Sequence, residues 1–194
     1  MITKEKFKDA LSFVSNDADI ISERLFDKYG SVERVLAAEA EELIRNGESS
    51  DTAVFLKLAL ALSKRKITDS FKFKSVHTTV EIEDYLFALF FGEQEEKIYA
   101  ITIDAAGRLT KCQLLAEGDV GQVQLLTRKL VTLCEREGAR GIILAHNHPS
   151  ALAIPSEDDI IATRQLRDLL DSINVKLCLH YIYSGHSKAI VPMD

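Results

Sequence analysis

Cysteine is scarce in this sequence and long apolar segments are missing from it, and both shortages narrow the class of protein. The three cysteines, Cys112, Cys134 and Cys178, are widely spaced and form no C-x-x-C pair. We expect them to pack as small apolar side chains in a reducing compartment. The longest uninterrupted apolar run covers residues 85–91, far short of the roughly 20 residues that a membrane span needs. These shortages predict a cytoplasmic protein with no membrane segment.

The sequence has no excess of positive charge, and a secretory leader is not expected. Residues 1–6 contain no apolar stretch of the kind that signal peptides carry. The formal net charge of −6 gives no overall electrostatic reason to expect nucleic-acid binding. The apolar fraction of 46% and the charged fraction of 28% are ordinary for a globular protein. The length of 194 residues suits one domain of moderate size or two small ones.

The spacing of apolar residues changes along the chain and predicts two domains. Residues 1–66 are predicted to be helical, ending in a helix over residues 52–66. The predicted buried face of that last helix consists of Val54, Phe55, Leu58, Leu60, Ala61 and Leu62. Residues 67–78 are polar and poorly periodic, which favours a linker. In residues 79–194 strand-like runs alternate with helical patterns, which indicates a layered α/β domain.

Within the α/β part, each predicted element has a sequence signal of its own. The run at residues 141–145 is short and continuously apolar, as in a central buried strand. The other strands are predicted near residues 98–103, 109–116, 175–183 and 189–191. Helices are predicted near residues 79–89, 119–137 and 156–172.

Two histidines follow the most apolar strand and carry the strongest chemical signal. His146 and His148 are two positions apart, so in an extended chain both imidazoles point the same way. Pro149 and Pro155 restrict the loop that follows, and Asp159 falls in the first turn of the next helix. Two imidazole nitrogens and one carboxylate oxygen form the three-ligand set of catalytic zinc sites, which leaves a fourth position open.

Each of these residues also has a purely structural interpretation. Ser156 and Asp159 fit the S-x-x-D/E capping box, and an isolated His-x-His pair is a weak signal. Glu157 and Asp158 are acidic residues of the kind that favour a helix start. A cap and a ligand are compatible at one helix start. The combined pattern of two like-facing histidines, a restricted loop and a carboxylate favours a metal site.

This spacing resembles the JAMM motif as it occurs in the bacterial RadC family, whose members carry a JAB/MPN domain. The matching pattern is His146-x-His148, then seven residues, Ser156, two residues and Asp159. The resemblance covers about residues 80–191. It implies a cytidine-deaminase-like α/β/α sandwich that holds Zn²⁺ through His146, His148 and Asp159.

The resemblance also implies catalytic roles and a reaction. Family members place an acidic residue eight positions before the aspartate that closes the first strand, and Glu96 precedes Asp104 by that spacing. Glu96 would then be the general base, and Ser156 would donate a hydrogen bond to the oxyanion. The implied reaction is the hydrolysis of a peptide or isopeptide bond in a protein or peptide substrate. The alternative for Glu96 is a solvated position beside Glu93 and Glu95.

The chain departs from the family pattern in two segments. Relatives usually carry glycine and polar residues after H-N-H-P-S, whereas residues 151–154 here read A-L-A-I, an apolar loop suited to a partner or a substrate groove. The helical part resembles the helix-hairpin-helix segment that precedes the RadC domain. Its second hairpin glycine is replaced by Ser49, and Glu48 adds a negative charge where phosphate would bind. DNA binding is therefore possible but not favoured.

Three readings of the function follow. The first is a zinc-dependent peptidase or isopeptidase, the second is a non-catalytic interaction module with the same fold, and the third is a DNA-repair-associated factor. The intact ligand pattern favours the first reading. His77, His180 and His186 are not expected to be ligands, because His180 lies in an apolar strand and His186 in a turn.

Overall fold

The protein folds as two compact units, Met1–Lys66 and Ile67–Asp194. The structure is a computed structural model that describes residues 3–71, 79–118, 123–149, 152–185 and 187–193. The described residues form eight helices and five strands. None of the helices in these ranges is both long and apolar enough to cross a membrane.

The first unit consists of helices that pack around one apolar core. The helices are α1 (Lys4–Leu11), α2 (Ala18–Tyr29), α3 (Val32–Ala37), α4 (Ala40–Arg45) and α5 (Ser50–Phe71), whose last five residues belong to the second unit. Gly30 ends α2 in the left-handed conformation, with φ of 78°, which glycine adopts without a steric penalty. Ser31 then begins α3 by accepting a hydrogen bond from the Arg34 N–H at 3.3 Å. Glycine after a helix and serine before one are the residue types that such ends favour.

Helix α5 corrects the prediction in two respects. It continues to Phe71, so residues 67–71 of the predicted linker are helical, and residues 72–78 lie outside the described ranges. Val54, Leu58 and Leu62 are 63%, 54% and 58% exposed, and Ala61 is exposed as well. The face that packs into the core carries Ala53 and Leu56, and of the predicted residues Phe55 packs partly buried against it. The prediction was wrong because this helix has apolar residues on several sides, and spacing alone does not select the side that packs.

Glu48 also differs from its predicted setting. Its side chain is 1% exposed, and its two carboxylate oxygens accept hydrogen bonds from Arg24 at 2.7 and 2.8 Å. The negative charge is therefore buried and compensated within the helical unit. From the sequence we expected this charge at the surface of the turn, where phosphate would bind, and the structure buries it instead.

The second unit is built on a five-stranded sheet with the strand order β2-β1-β3-β4-β5. Its strands are β1 (Lys97–Ile103), β2 (Leu109–Glu117), β3 (Gly141–Asn147), β4 (Lys176–Ser184) and β5 (Ser187–Ile190). Strands β3 and β4 are parallel, and the other neighbours are antiparallel. The helices are α6 (Thr79–Phe90), α7 (Val123–Glu137) and α8 (Glu157–Ser172). The predicted start of α7 at residues 119–122 lies outside the described ranges.

Helices cover both faces of this sheet, which gives three layers. Helix α6 packs on the face that carries Ile101 and Ile143, while α7 and α8 pack on the face that carries Ala100 and Leu144. Every residue of β3 is buried, as its unbroken apolar sequence predicts. The α/β fold preceded by a helical part is confirmed. Because α8 is the crossover between parallel strands β3 and β4, its first turn follows closely on the carboxyl end of β3.

Candidate metal centre

Three side chains from the end of β3 and the start of α8 meet at one point. His146 Nε2 lies 2.9 Å from His148 Nε2 and 3.2 Å from Asp159 Oδ1. His148 Nε2 lies 3.6 Å from Asp159 Oδ2. The three residues can each present a ligand atom with all these atoms within 4.8 Å of one another. Among the described residues, they form the one group of three or more such side chains that meets this spacing.

These distances fit a small tetrahedral ion. Zinc bonds nitrogen and oxygen at roughly 2.0–2.1 Å, so two ligand atoms in a tetrahedral site lie about 3.3 Å apart. The separation of 2.9 Å between the two histidine nitrogens and that of 3.2 Å between His146 Nε2 and Asp159 Oδ1 lie near this value. His148 Nε2 lies 3.6 Å from Oδ2, the other oxygen of the same carboxylate. Imidazole nitrogens with one carboxylate oxygen are also a donor set that zinc accepts. The residues present therefore fit the metal that the motif implies.

Strand pairing holds the two histidines on the same side of the sheet. His146 is paired with Ile98 of β1 and with Ile182 of β4, so strands on both sides fix its backbone. The His148 N–H donates to the Tyr183 carbonyl at 2.7 Å, which keeps the chain extended past the end of β3. The i, i+2 alternation of an extended chain then places both imidazoles together.

Asp159 both caps α8 and contacts the histidines. Its Oδ2 accepts hydrogen bonds from the Ser156 N–H at 2.8 Å and from the Ser156 hydroxyl at 2.6 Å. The Asp159 N–H donates back to Ser156 Oγ at 3.1 Å, which completes the capping box predicted from the sequence. Burial opposes ionisation of Asp159, but the proximity of His146 and the hydrogen bonds from Ser156 outweigh it and hold its pKa well below the usual range. Asp159 is thus an anion under ordinary conditions.

Glu96 directly precedes β1 and does not belong to this cluster. Ile98 pairs with His146, and Glu96 stands directly before β1, where the i, i+2 alternation of an extended chain would put it on the same side as Ile98. Glu96 is partly exposed, and the group of three ligand atoms does not include its carboxylate. The general-base role of Glu96 remains a prediction.

Asn147 holds the segment that carries Glu96 and was not singled out from the sequence. Its side-chain oxygen accepts from the Lys97 N–H at 2.8 Å, and its side-chain nitrogen donates to the Glu95 carbonyl at 2.9 Å. The side-chain amide of Asn147 therefore binds the backbone on both sides of Glu96. In the sequence, its position between the two histidines is the signal that could have identified Asn147. In the structure its side chain is buried, at 3% exposure.

His180 and Thr163 form a second group behind His146. His180 lies on β4, is 5% exposed, and places Nε2 2.9 Å from His146 Nδ1. Its Nδ1 lies 2.7 Å from the hydroxyl of Thr163, which is fully buried on α8. Burial, and then the proximity of His146, lower the pKa of His180 to about 3. His180 is a satisfied buried histidine, as expected, but its partner is a residue of the cluster. His77 and His186 lie outside the described residues.

The apolar loop borders the cluster and leaves its large side chains open to solvent. Leu152 is 70% exposed and Ile154 is 61% exposed, whereas Ala153 is buried beside Ile182. The Leu152 carbonyl accepts a hydrogen bond from His148 Nδ1 at 3.3 Å. The loop is therefore tied to the cluster through its backbone and presents apolar side chains beside it.

Comparisons with known proteins identify the family of this chain. A UPF0758 protein of Vibrio campbellii is 28% identical over 164 residues, which span 84% of this chain and 73% of the relative. UPF0758 proteins of Paraburkholderia xenovorans and Dechloromonas aromatica are each 29% identical, over 89% and 81% of this chain and 69% and 71% of the relatives. The family model described as RadC-like JAB domain matches residues 76–191, which include the whole three-residue cluster. This chain is therefore a member of the RadC-like JAB domain family.

Proposed function

We propose that this protein is a zinc-dependent hydrolase that cleaves a peptide or isopeptide bond. The observation that carries the proposal is the convergence of His146 Nε2, His148 Nε2 and an Asp159 carboxylate oxygen at distances that suit one tetrahedral ion. A site with three protein ligands keeps a coordination position for water or substrate, which a purely structural zinc site does not need. Zinc bound there would lower the pKa of a water to about 7 and polarise the scissile carbonyl.

The chain supplies the remaining chemistry through residues around the cluster. Glu96 would accept the proton of the attacking water and deliver it to the leaving amine. Asn147 would support this role, because it fixes the backbone on both sides of Glu96. Ser156 donates its one hydroxyl hydrogen to Asp159 Oδ2, so it can serve an oxyanion only after releasing that bond.

A second candidate function is a non-catalytic interaction module. It is favoured by the exposure of Leu152 and Ile154 beside the cluster, since apolar side chains at such a position suit a protein partner as well as a substrate. DNA binding is not favoured, because the net charge is −6 and Arg24 is engaged by Glu48. Binding to duplex DNA that falls steeply with salt would reverse that preference.

The metal is tested first. We expect purified wild-type protein, after equilibration with zinc and removal of the excess, to carry about one zinc per chain by elemental analysis. The double variant His146→Ala, His148→Ala should retain almost none, because one carboxylate cannot hold the ion. Equal zinc content in the two proteins would refute the proposed ligands.

Catalysis is tested separately from metal binding. We expect Glu96→Gln to keep its zinc and lose hydrolysis of a library of peptides and lysine isopeptides, followed by the appearance of new amino groups. Glu95→Gln is the matched control, since Glu95 is an exposed neighbour with the same side chain. Turnover that survives in Glu96→Gln would remove the proposed base. Zinc-loaded wild-type protein that cleaves no member of the library would favour the interaction module.

A further inference from the structure

A line of buried hydrogen bonds joins helix α8 to the first histidine of the cluster. Thr163 Oγ1 lies 2.5 Å from the Asp159 carbonyl oxygen and 2.7 Å from His180 Nδ1. His180 Nε2 in turn lies 2.9 Å from His146 Nδ1. Thr163, His180 and His146 are 0%, 5% and 4% exposed, so bulk water does not compete for these groups.

The chemistry of the first contact fixes the direction of the others. A carbonyl oxygen carries no hydrogen, so the Thr163 hydroxyl must donate to Asp159. A hydroxyl has one hydrogen, so Thr163 Oγ1 can only accept from His180 Nδ1–H. The neutral ring of His180 then has its lone pair on Nε2, which must accept from His146 Nδ1–H.

These hydrogen-bond directions determine whether the other nitrogen of His146, Nε2, carries a hydrogen or a lone pair. With its hydrogen on Nδ1, a neutral His146 presents the Nε2 lone pair to His148 and Asp159. His148 reaches the same tautomer independently, because its Nδ1 donates to the Leu152 carbonyl. Two lone pairs and a carboxylate oxygen then face one another, an arrangement that a cation stabilises.

We propose that Thr163 and His180 are positioning residues that set the tautomer of His146 and keep its Nε2 free to bind the metal. This role rests on the proposed metal site, since it concerns one of its ligands. Without the Thr163 hydroxyl, His180 has no acceptor for Nδ1–H and can move its hydrogen to Nε2. His146 would then accept on Nδ1 and carry its hydrogen on Nε2, the atom that must bind the ion.

The tautomers are measured first, in unsubstituted, metal-free, full-length protein. Long-range ¹H–¹⁵N spectra of ¹⁵N-histidine-labelled protein are recorded at rising pH, and the tautomers are read where the ¹⁵N shifts themselves show uncharged rings. We expect His146 and His180 both to carry the hydrogen on Nδ1. A hydrogen on Nε2 of His146 would overturn the proposal, whether or not the protein binds zinc.

Metal affinity provides the second test. We expect Thr163→Val to weaken Zn²⁺ binding by about 10–100-fold in competition with a chelator, the usual effect of losing a partner behind a histidine ligand. Thr163→Ser restores the hydroxyl and should restore most of the affinity. Thr132→Val is the matched control, because Thr132 makes the same helical bond, to the Arg128 carbonyl at 3.0 Å, on the exposed side of α7.

The outcomes separate this proposal from the function on which it rests. Unchanged affinity in folded Thr163→Val, or failure of Thr163→Ser to recover, would overturn the positioning role while leaving the metal site intact. Wild-type protein that binds no zinc would refute the metal site, and the tautomer spectra would still decide the hydrogen-bond directions. If Thr163→Val does not fold, those spectra also decide, because they need no substitution.

Discussion

The two partners of the ion pair between Arg24 and Glu48 are exposed to solvent to very different extents. The Glu48 side chain is 1% exposed and that of Arg24 is 45% exposed, although their atoms approach to 2.7 Å. Loss of a buried charge's partner is expensive, whereas a cation near the surface can turn to water. The contribution of the pair to stability therefore depends on which partner is removed.

We predict that Arg24→Gln destabilises the protein by about 3 kcal/mol and Glu48→Gln by about 1 kcal/mol. The first change leaves a carboxylate buried without its cation, and the second leaves an arginine that can reach solvent. The free energy of unfolding is measured with urea. The control is Glu23→Gln, which breaks an exposed pair with Lys4 and should cost less than about 1 kcal/mol. If Arg24→Gln and Glu48→Gln lower the free energy of unfolding equally, this account is wrong.

At the scale of elements, the first turn of α8 combines the start of a helix with a proposed ligand. Ser156 caps the helix and also holds Asp159 Oδ2, so its hydroxyl serves both tasks. At α3, by contrast, Ser31 caps a helix in the other unit, where its hydroxyl accepts from the Arg34 N–H and contacts no proposed ligand. The two serines allow the cost of a lost cap to be separated from an effect on the metal.

We predict that Ser156→Ala and Ser31→Ala each lower the free energy of unfolding of metal-free protein by about 1 kcal/mol, the usual cost of an N-cap. Zinc affinity should fall by about tenfold in Ser156→Ala alone, because Asp159 loses the bond that orients it. Urea unfolding and chelator competition measure the two quantities. An unaltered zinc affinity in Ser156→Ala would show that the backbone N–H of Ser156 suffices to orient the carboxylate.

The elements also show what the sequence could predict. Continuous apolar residues identified β3, and the His, Ser and Asp spacing identified the cluster, because these signals lie within one short stretch of chain. The buried face of α5 was missed because Val54, Leu58 and Leu62 resemble a core stripe but point outward. The contacts of His146 with His180 and of His180 with Thr163 were missed because they depend on β4 and α8 packing beside β3. No local pattern records that arrangement.

At the scale of the whole molecule, each unit has a core of its own. The helical unit packs around residues such as Leu11 and Leu43, and the sheet unit packs around residues such as Leu130 and Ile143. The proposed ligands all belong to the sheet unit. A ligand that binds one folded unit stabilises that unit by mass action and reaches the other only through coupling between them.

We therefore predict that zinc slows amide hydrogen exchange in β3 and α8 and leaves the exchange of α2 nearly unchanged. Zinc at about one hundred times its Kd should add about 2.7 kcal/mol of protection to amides that exchange by unfolding of the sheet unit. Mass spectrometry of peptic fragments from the full chain gives the measurement. The His146→Ala, His148→Ala variant should show no zinc effect. Equal added protection in α2 would mean that the two units unfold together.

The connection between β3 and α8 has a further consequence for how the protein reaches its fold. The three proposed ligands lie between positions 146 and 159, so few residues separate them even in an unfolded chain. Closing so short a loop costs little chain entropy, and zinc can gather these side chains before distant strands find their partners. In stopped-flow experiments, zinc should then accelerate refolding and change the unfolding rate little, as expected for contacts already formed in the transition state. The ion would then promote folding of the sheet unit in addition to its proposed role in hydrolysis.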